Sequence, residues 1–186
     1  DIGIRNIIDK YRPMEIGGQI STEDLEINKI VDNIPVGKCT MHSGLSATLG
    51  KNGPEMTIDS LKVDHLEVLD YGYTGIAAAG TFSQDAFNGR IVCSDPNLNF
   101  LFQGIFSLSS KTQNALYQFY ANLGYADLHA LNIDKRGTSR ISLTTQANFT
   151  RVSGEEILGN INANGIVLED EHRRHNAGDI EISSYA

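Results

Sequence analysis

The sequence predicts a mainly β protein, built as one long, curved antiparallel meander with a single apolar face. Three observations support this fold class. Apolar and polar residues alternate with a period of two over most of residues 40–186, short turn segments separate the alternating runs, and several runs are long. An ordinary strand has about five or six residues, whereas the longest run here lasts about twice that. We expect eight or nine strands in this region, joined mostly by short turns.

The longest run begins after the turn Asp95-Pro96-Asn97. Its apolar parity comprises Leu98, Phe100, Phe102, Gly104, Phe106 and Leu108. A proline at the start of a strand sacrifices no ladder donor, so a turn explains Asp95-Pro96-Asn97 better than a ligand loop does. The glycine inside the strand indicates sharp curvature rather than a phosphate cradle.

The neighbouring strands repeat the pattern. Phe119 lies on the apolar parity of residues 117–125, and Ile141, Leu143 and Phe149 lie on that of residues 141–149. A parity change at Asp64-His65 predicts a bulge or bend.

Helical segments are short, and they repeat. Residues 1–10 and 24–33 align position for position, and residues 127–135 resemble a third copy that is one residue shorter. Each copy starts as the end of a strand and continues as one or two predicted helical turns. We therefore divide the chain into residues 1–38, with two copies of the repeat, and residues 39–186, the long-stranded sheet. The chain begins at Asp1 without a methionine, so we expect one continuous unit cut from a longer protein.

Composition restricts the partners. The 186 residues carry a net charge of −8 and contain no basic cluster, which argues against nucleic acid or an anionic membrane surface as the main partner. No apolar run approaches the roughly 20 residues of a membrane helix.

Motifs for catalysis are not found in the sequence. His172 and His175 lie in a charged stretch that is typical of a solvated hairpin tip, and strand or loop geometry would not converge such a pair on a metal. Carboxylates are plentiful, but the chain has no tryptophan, on which sugar-processing clefts often rely for stacking. We predict no enzyme, no metal and no cofactor.

Two cysteines, Cys39 and Cys93, form no motif. Cys93 shares the apolar parity of its strand, which favours a small buried thiol. A disulfide between the two stays open at this point, because sequence gives no Cα separation.

The apolar face must be covered by a second layer, or it must serve as a channel for something apolar. Alternation alone leaves both architectures open, and a two-sheet β-sandwich is the commoner solution. A sandwich would favour a non-catalytic spacer or an adhesion or binding module.

A resemblance favours the channel. The order of several motifs from Asp24 to Ala186 resembles the central region of TamB-type proteins of the AsmA-like superfamily, as found in Bacteroidetes. These motifs are Y-x-Y-x-x-I-x-x-x-G-x-F (Tyr71 to Phe82), F-x-G-x-I (Phe87 to Ile91), D-P-N-L (Asp95 to Leu98) and A-N-F-T (Ala147 to Thr150).

The resemblance implies a periplasmic segment of a protein that an N-terminal helix anchors in the inner membrane. Such proteins have long, strongly curved sheets whose concave face forms a hydrophobic groove. They are implicated in moving phospholipid to the outer membrane, or in assembling outer-membrane proteins. The expected partners are phospholipid acyl chains and, in addition, outer-membrane assembly proteins.

On this hypothesis the apolar parity lines an acyl-chain groove, which resembles a folded taco in shape. The predicted groove residues are Leu98, Phe100, Phe102, Phe106, Phe119, Ile141, Leu143 and Phe149.

Overall fold

The computed structural model describes residues 2–5, 14–30, 34–50, 53–83, 85–108, 115–153 and 156–185. Nearly all of them are in β-strands. The strands are β1 (Ile2–Arg5), β2 (Met14–Glu26), β3 (Val36–Gly50), β4 (Gly53–Val68), β5 (Tyr71–Tyr73), β6 (Ile76–Ser83), β7 (Ala86–Asp95), β8 (Leu98–Ser107), β9 (Ala115–Asp127), β10 (Ser139–Ser153), β11 (Glu156–Asp170) and β12 (Arg174–Ser184). The fold class is therefore the predicted one.

These strands form a single antiparallel sheet in which chain order and spatial order coincide. The path runs from β1 to β12, and only the short β5 lies off it, paired with the end of β4. β1 and β12 lie at opposite ends of the path, so the sheet is open and is not closed into a barrel. The alternative of a two-sheet sandwich is wrong for the described residues, because every strand there belongs to one sheet.

Ten strands, β3 to β12, lie in the region for which eight or nine were predicted, and the short β5 was not predicted. The predicted bulge is confirmed. Thr40 pairs with His65 and Met41 pairs with Val63, which leaves Asp64 as the extra residue on β4. β2, from the predicted N-terminal segment, pairs along its length with β3 within the same sheet.

The predicted helical pieces are reduced to single turns. Ile27–Lys29 forms a 3₁₀ turn after β2, and Ile30 beyond it is 67% exposed. The remainder of the first copy of the repeat, after β1, lies outside the described residues. None of the helical segments in the described part of the chain is long and apolar enough to cross a membrane.

The third copy is a well-capped turn after β9. The side chain of Asp127 accepts a hydrogen bond from the Ala130 amide, and the Leu131 amide donates to the Asp127 carbonyl. The turn ends with Asn132 at φ +61°, and the amide of Ile133 donates back to the Leu128 carbonyl. Leu131 is almost fully buried, so in this copy the turn packs against the rest of the protein.

Most of the buried apolar residues lie on one side of the sheet. We call the side that carries Leu98, Phe100, Phe102 and Phe106 of β8 the apolar face, and the other side the polar face. Eight of the nine buried apolar residues lie on the apolar face: Cys39, Val63, Phe87, Cys93, Phe102, Ala115, Ala126 and Ala147. No second layer covers this face in the described part of the chain, so its side chains bury one another. A sheet that curves towards this face produces such mutual burial.

Glycines allow this curvature. Gly104 on β8 and Gly159 on β11 have φ of +139° and +133°, and each pairs with a phenylalanine on the adjacent strand. A Cβ at Gly104 would collide with the Gln118 carbonyl oxygen and would lie 2.6 Å from the Cα of Phe119. Only glycine fits so close to a neighbouring backbone, and such positions bend a sheet.

The two cysteines are free and buried, which confirms the expectation of buried thiols. β4 and β6 separate their strands, so the disulfide left open by the sequence does not form here. Burial raises the pKa of both thiols and makes them poor nucleophiles.

Gly104→Ala tests the role of glycine in bending the sheet. We expect it to lower the free energy of unfolding by about 1–3 kcal/mol, because the methyl group collides with backbone at a positive φ. Gly17→Ala on β2 is the matched control, since its Cβ would meet its nearest atoms at 3.7 and 3.9 Å. Urea unfolding of both variants measures the difference, and equal stability would contradict the account.

Candidate functional site

Cross-strand pairing brings all eight predicted groove residues onto the apolar face. Five rows of paired positions across β8, β9 and β10 contain them. Three of these rows are Leu98–Ala126–Ile141, Phe100–Leu123–Leu143 and Phe106–Tyr117–Phe149. Phe102 and Phe119 lie in the two intermediate rows, paired with Ala121 and Gly104. The sequence thus predicted residues that share one face.

An aromatic strip crosses this face from β6 to β10. It consists of Phe82, Phe87, Phe102, Phe119, Phe106, Tyr117 and Phe149, in order of contact. Ring centroids of successive members are separated by 4.5 to 6.2 Å. Such aromatic pairs contribute about 0.5–1.5 kcal/mol each beyond the area they bury. The strip is therefore a continuous apolar surface that runs across the strands.

Several side chains of the apolar face are exposed to solvent. Phe106 is 39% exposed and Met56 is 40% exposed, whereas Phe102, between Phe87 and Phe119, is only 8% exposed. On β12, Ile180 and Ile182 are more than half exposed. The apolar face thus combines buried aromatic side chains such as Phe102, which we call its floor, with exposed apolar side chains.

One end of the strip opens into a depression of about 410 Å³. Met56, Phe82 and Leu108 contribute to its apolar lining, and Glu55 and Asp85 also line it. A depression lined by apolar side chains and two carboxylates suits a molecule with an apolar body.

Sequence reasoning did not select Met56, Phe82, Phe87 and Tyr117 as groove residues. Their parity was visible, but a strand's parity does not reveal which residues of other strands lie beside it. The cross-strand register supplies that information. The row Ile16–Ala47–Met56–Phe82–Phe87–Phe106–Tyr117–Phe149 crosses eight strands of the sheet.

The turn Asp95-Pro96-Asn97 is a structural anchor. The Asp95 side chain accepts hydrogen bonds from the Tyr71 hydroxyl, from the Asn97 amide at 2.8 Å, and from the amide and hydroxyl of Thr74 at 2.9 and 3.1 Å. The Tyr125 hydroxyl donates to the Pro96 carbonyl at 2.7 Å. These bonds tie β5, β7, β8 and β9 together at one end of the sheet.

Hydrogen bonds favour the ionised form of two buried carboxyl groups, Asp95 in this turn and Asp127 at the end of β9. Burial raises the pKa of Asp95, but its hydrogen bonds outweigh burial, so the pKa lies below its usual value of 3.8. Asp127 behaves in the same way, because the Ala130 amide and the Arg140 guanidinium stabilise its charged form against the cost of burial.

His172 and His175 lie at the β11–β12 hairpin tip, as predicted. The Asp170 side chain accepts the amides of His172 and Arg173, both at 2.8 Å, and closes the turn. Among the described residues, no group of three or more His, Cys, Asp or Glu side chains is placed to hold a metal ion.

Ser21, His42 and Asp64 line up on the polar face. Ser21 Oγ lies 2.8 Å from His42 Nδ1, and His42 Nε2 lies 3.5 Å from Asp64 Oδ2. The His42 side chain is 59% exposed on an open surface, and Asp64 also pairs with Lys62. Nucleophilic catalysis requires an enclosed, water-excluding site with donors for an oxyanion, so we interpret the three as a surface cluster.

No protein-family model, curated protein or solved structure matches the chain.

The anchor predicts a specific pH dependence. The unfolded Asp95 carboxyl titrates near 3.8 and the folded one lower, so its stabilising effect is complete above that pH. The effect is lost as the pH falls through the folded-state pKa. Asp95→Asn should lower the free energy of unfolding at pH 7 by about 1–3 kcal/mol, and the deficit should shrink as the pH approaches 3.

Urea midpoints of both proteins between pH 3 and pH 7 measure this deficit. Asp59→Asn, at an exposed position of β4, is the control and should leave the midpoint unchanged at pH 7. A deficit for Asp95→Asn that is constant over the whole pH range would contradict the account.

Proposed function

We propose that this chain is a periplasmic segment of a TamB-type, AsmA-like protein, and that its apolar face carries phospholipid acyl chains between the inner and outer membranes. The observation that supports the proposal most strongly is the apolar face itself. It is accessible along many strands, has a packed aromatic floor, and belongs to a single sheet that no second layer covers in the described residues.

Dimensions support acyl chains as the cargo. The row from Ile16 to Phe149 spans seven inter-strand spacings, or about 34 Å. One acyl chain fills about half of the roughly 30 Å hydrocarbon core of a bilayer, so the row is longer than one chain. A lipid can therefore shift along it without leaving apolar surroundings.

The energetics suit transport rather than storage. A methylene that leaves water gains about 0.8 kcal/mol, so two acyl chains hold a lipid firmly without a headgroup pocket. Because every residue of the row has an apolar side chain or an aromatic ring, a step along it exchanges one set of apolar contacts for another. Delivery to the outer membrane, and support for outer-membrane protein assembly, would follow if the whole protein extends from the inner membrane to the outer membrane.

Native mass spectrometry of the protein purified from bacteria tests this proposal. We expect bound phospholipid in the original protein and about tenfold less of it in Phe106→Asp, because the carboxylate places a charge on an exposed part of the apolar face. Phe106 is preferable to Phe102, since an aspartate at the buried Phe102 would disrupt the floor itself.

Leu69→Asp is the matched control. Leu69 is 45% exposed, lies in the turn after β4 outside the apolar face, and has φ +52°, which aspartate tolerates. It should retain bound lipid. An original protein without bound lipid, or equal lipid in all three proteins, would contradict the proposal.

A further inference from the structure

The polar face carries an uncharged array over β9, β10 and β11. Each strand contributes three alternate positions, within residues 118–122, 144–148 and 160–164, and direct pairing aligns them in three rows. Seven of the nine side chains are Asn or Gln, and the other two are Thr144 and Tyr120. The array covers about 10 Å across the strands and about 13 Å along them.

None of the nine positions of the array carries a charged side chain. A fifth of the chain is charged, and β4 on the same face carries the Lys62–Asp64 ion pair. The array offers hydrogen-bond donors and acceptors but no charge of its own to attract a charged partner. The array is complementary to a neutral partner that is rich in hydrogen-bonding groups.

Hydrogen bonds inside the array use only part of its capacity. The side-chain Nε2 of Gln118 donates to Asn148 Oδ1, and the Thr144 hydroxyl donates to Asn122 Oδ1, both at 3.1 Å. Asn162 Oδ1 has no partner among the described residues, although it is shielded from solvent. An unsatisfied acceptor is destabilising, and rotation of the Asn162 side chain towards a ligand donor would relieve that cost.

A depression of about 480 Å³ continues the array towards one end of the strands. Ser142, Gly124 and Tyr125 line it next to the array, and Arg140, Glu169 and Arg174 add charged groups that can hydrogen-bond sugar hydroxyls. Tyr125 is 38% exposed, and its hydroxyl is fixed on the Pro96 carbonyl. Exposed tyrosine rings at positions 120 and 125 thus accompany the carboxamides on the same face.

We propose that this polar surface binds a neutral glycan. Sugar hydroxyls hydrogen-bond the carboxamides of the array, a sugar ring packs on Tyr120, and the end of the glycan occupies the depression beside Tyr125. This site is independent of the apolar face, so either could function if the other did not. Hydrogen bonding, more than aromatic stacking, supplies the recognition in a chain without tryptophan.

Isothermal titration calorimetry of the purified 186-residue protein with cellohexaose and with chitohexaose tests the proposal. We expect saturable binding of at least one hexasaccharide, with a Kd of about 1 mM or tighter. Binding of both indicates recognition of hydroxyl groups alone, and binding of chitohexaose alone indicates that the acetamido group pairs with the carboxamides. Gln146→Ala and Tyr120→Ala should each weaken binding by about tenfold.

Asn88→Ala is the control, because Asn88 is an exposed residue of the polar face on β7, outside the array. Its affinity should equal that of the original protein, and circular dichroism should show all variants folded. No saturable binding of either sugar, or the same loss in Asn88→Ala, would overturn the proposal. Concentration-dependent dimers that Gln146→Ala abolishes, without sugar binding, would also overturn it and indicate face-to-face pairing of two copies.

Discussion

Cross-strand packing of side chains on one face is the constraint on which this structure depends. A single sheet has no opposing layer against which to bury apolar groups, so its apolar residues must bury one another. The aromatic strip achieves this because its rings contact one another from strand to strand. Glycines at a few paired positions let the backbone bend beneath the rings.

The same constraint makes the hydrogen-bonded carboxylates at the ends of β7 and β9 important. A curved sheet without a second layer buries no apolar surface between layers. Its stability therefore depends more on fixed strand ends and a fixed register. Asp95 provides this by joining several elements through four hydrogen bonds, and Asp127 caps the turn that buries Leu131. Both groups are buried carboxylates whose charge is stabilised by donors, so the anchors work at neutral pH.

Strand identity and face could be predicted from the sequence because period-two alternation is a local property. It placed the alternate apolar residues of 98–106 and 141–149, together with Phe119, on one face. It also located the bulge at Asp64. The number of layers could not be predicted in this way, because alternation describes one face but not what covers it. The contribution of Phe87 and Met56 was also missed, since register between strands depends on turns and bulges along the whole chain. Helical turns were overestimated because a strand end followed by a capped turn has the same local pattern as a short helix.

The central claim is that acyl chains lie against the apolar face and not against the polar face. The chain has no tryptophan, so a single introduced tryptophan reports on its own surroundings. Phe106→Trp places the reporter on the apolar face, and Tyr120→Trp, at similar exposure on the adjacent strand, places it on the polar face. With phosphatidylcholine brominated on its acyl chains, the account predicts strong quenching at position 106 and little at position 120. Equal quenching at both positions, or none at position 106, would contradict it.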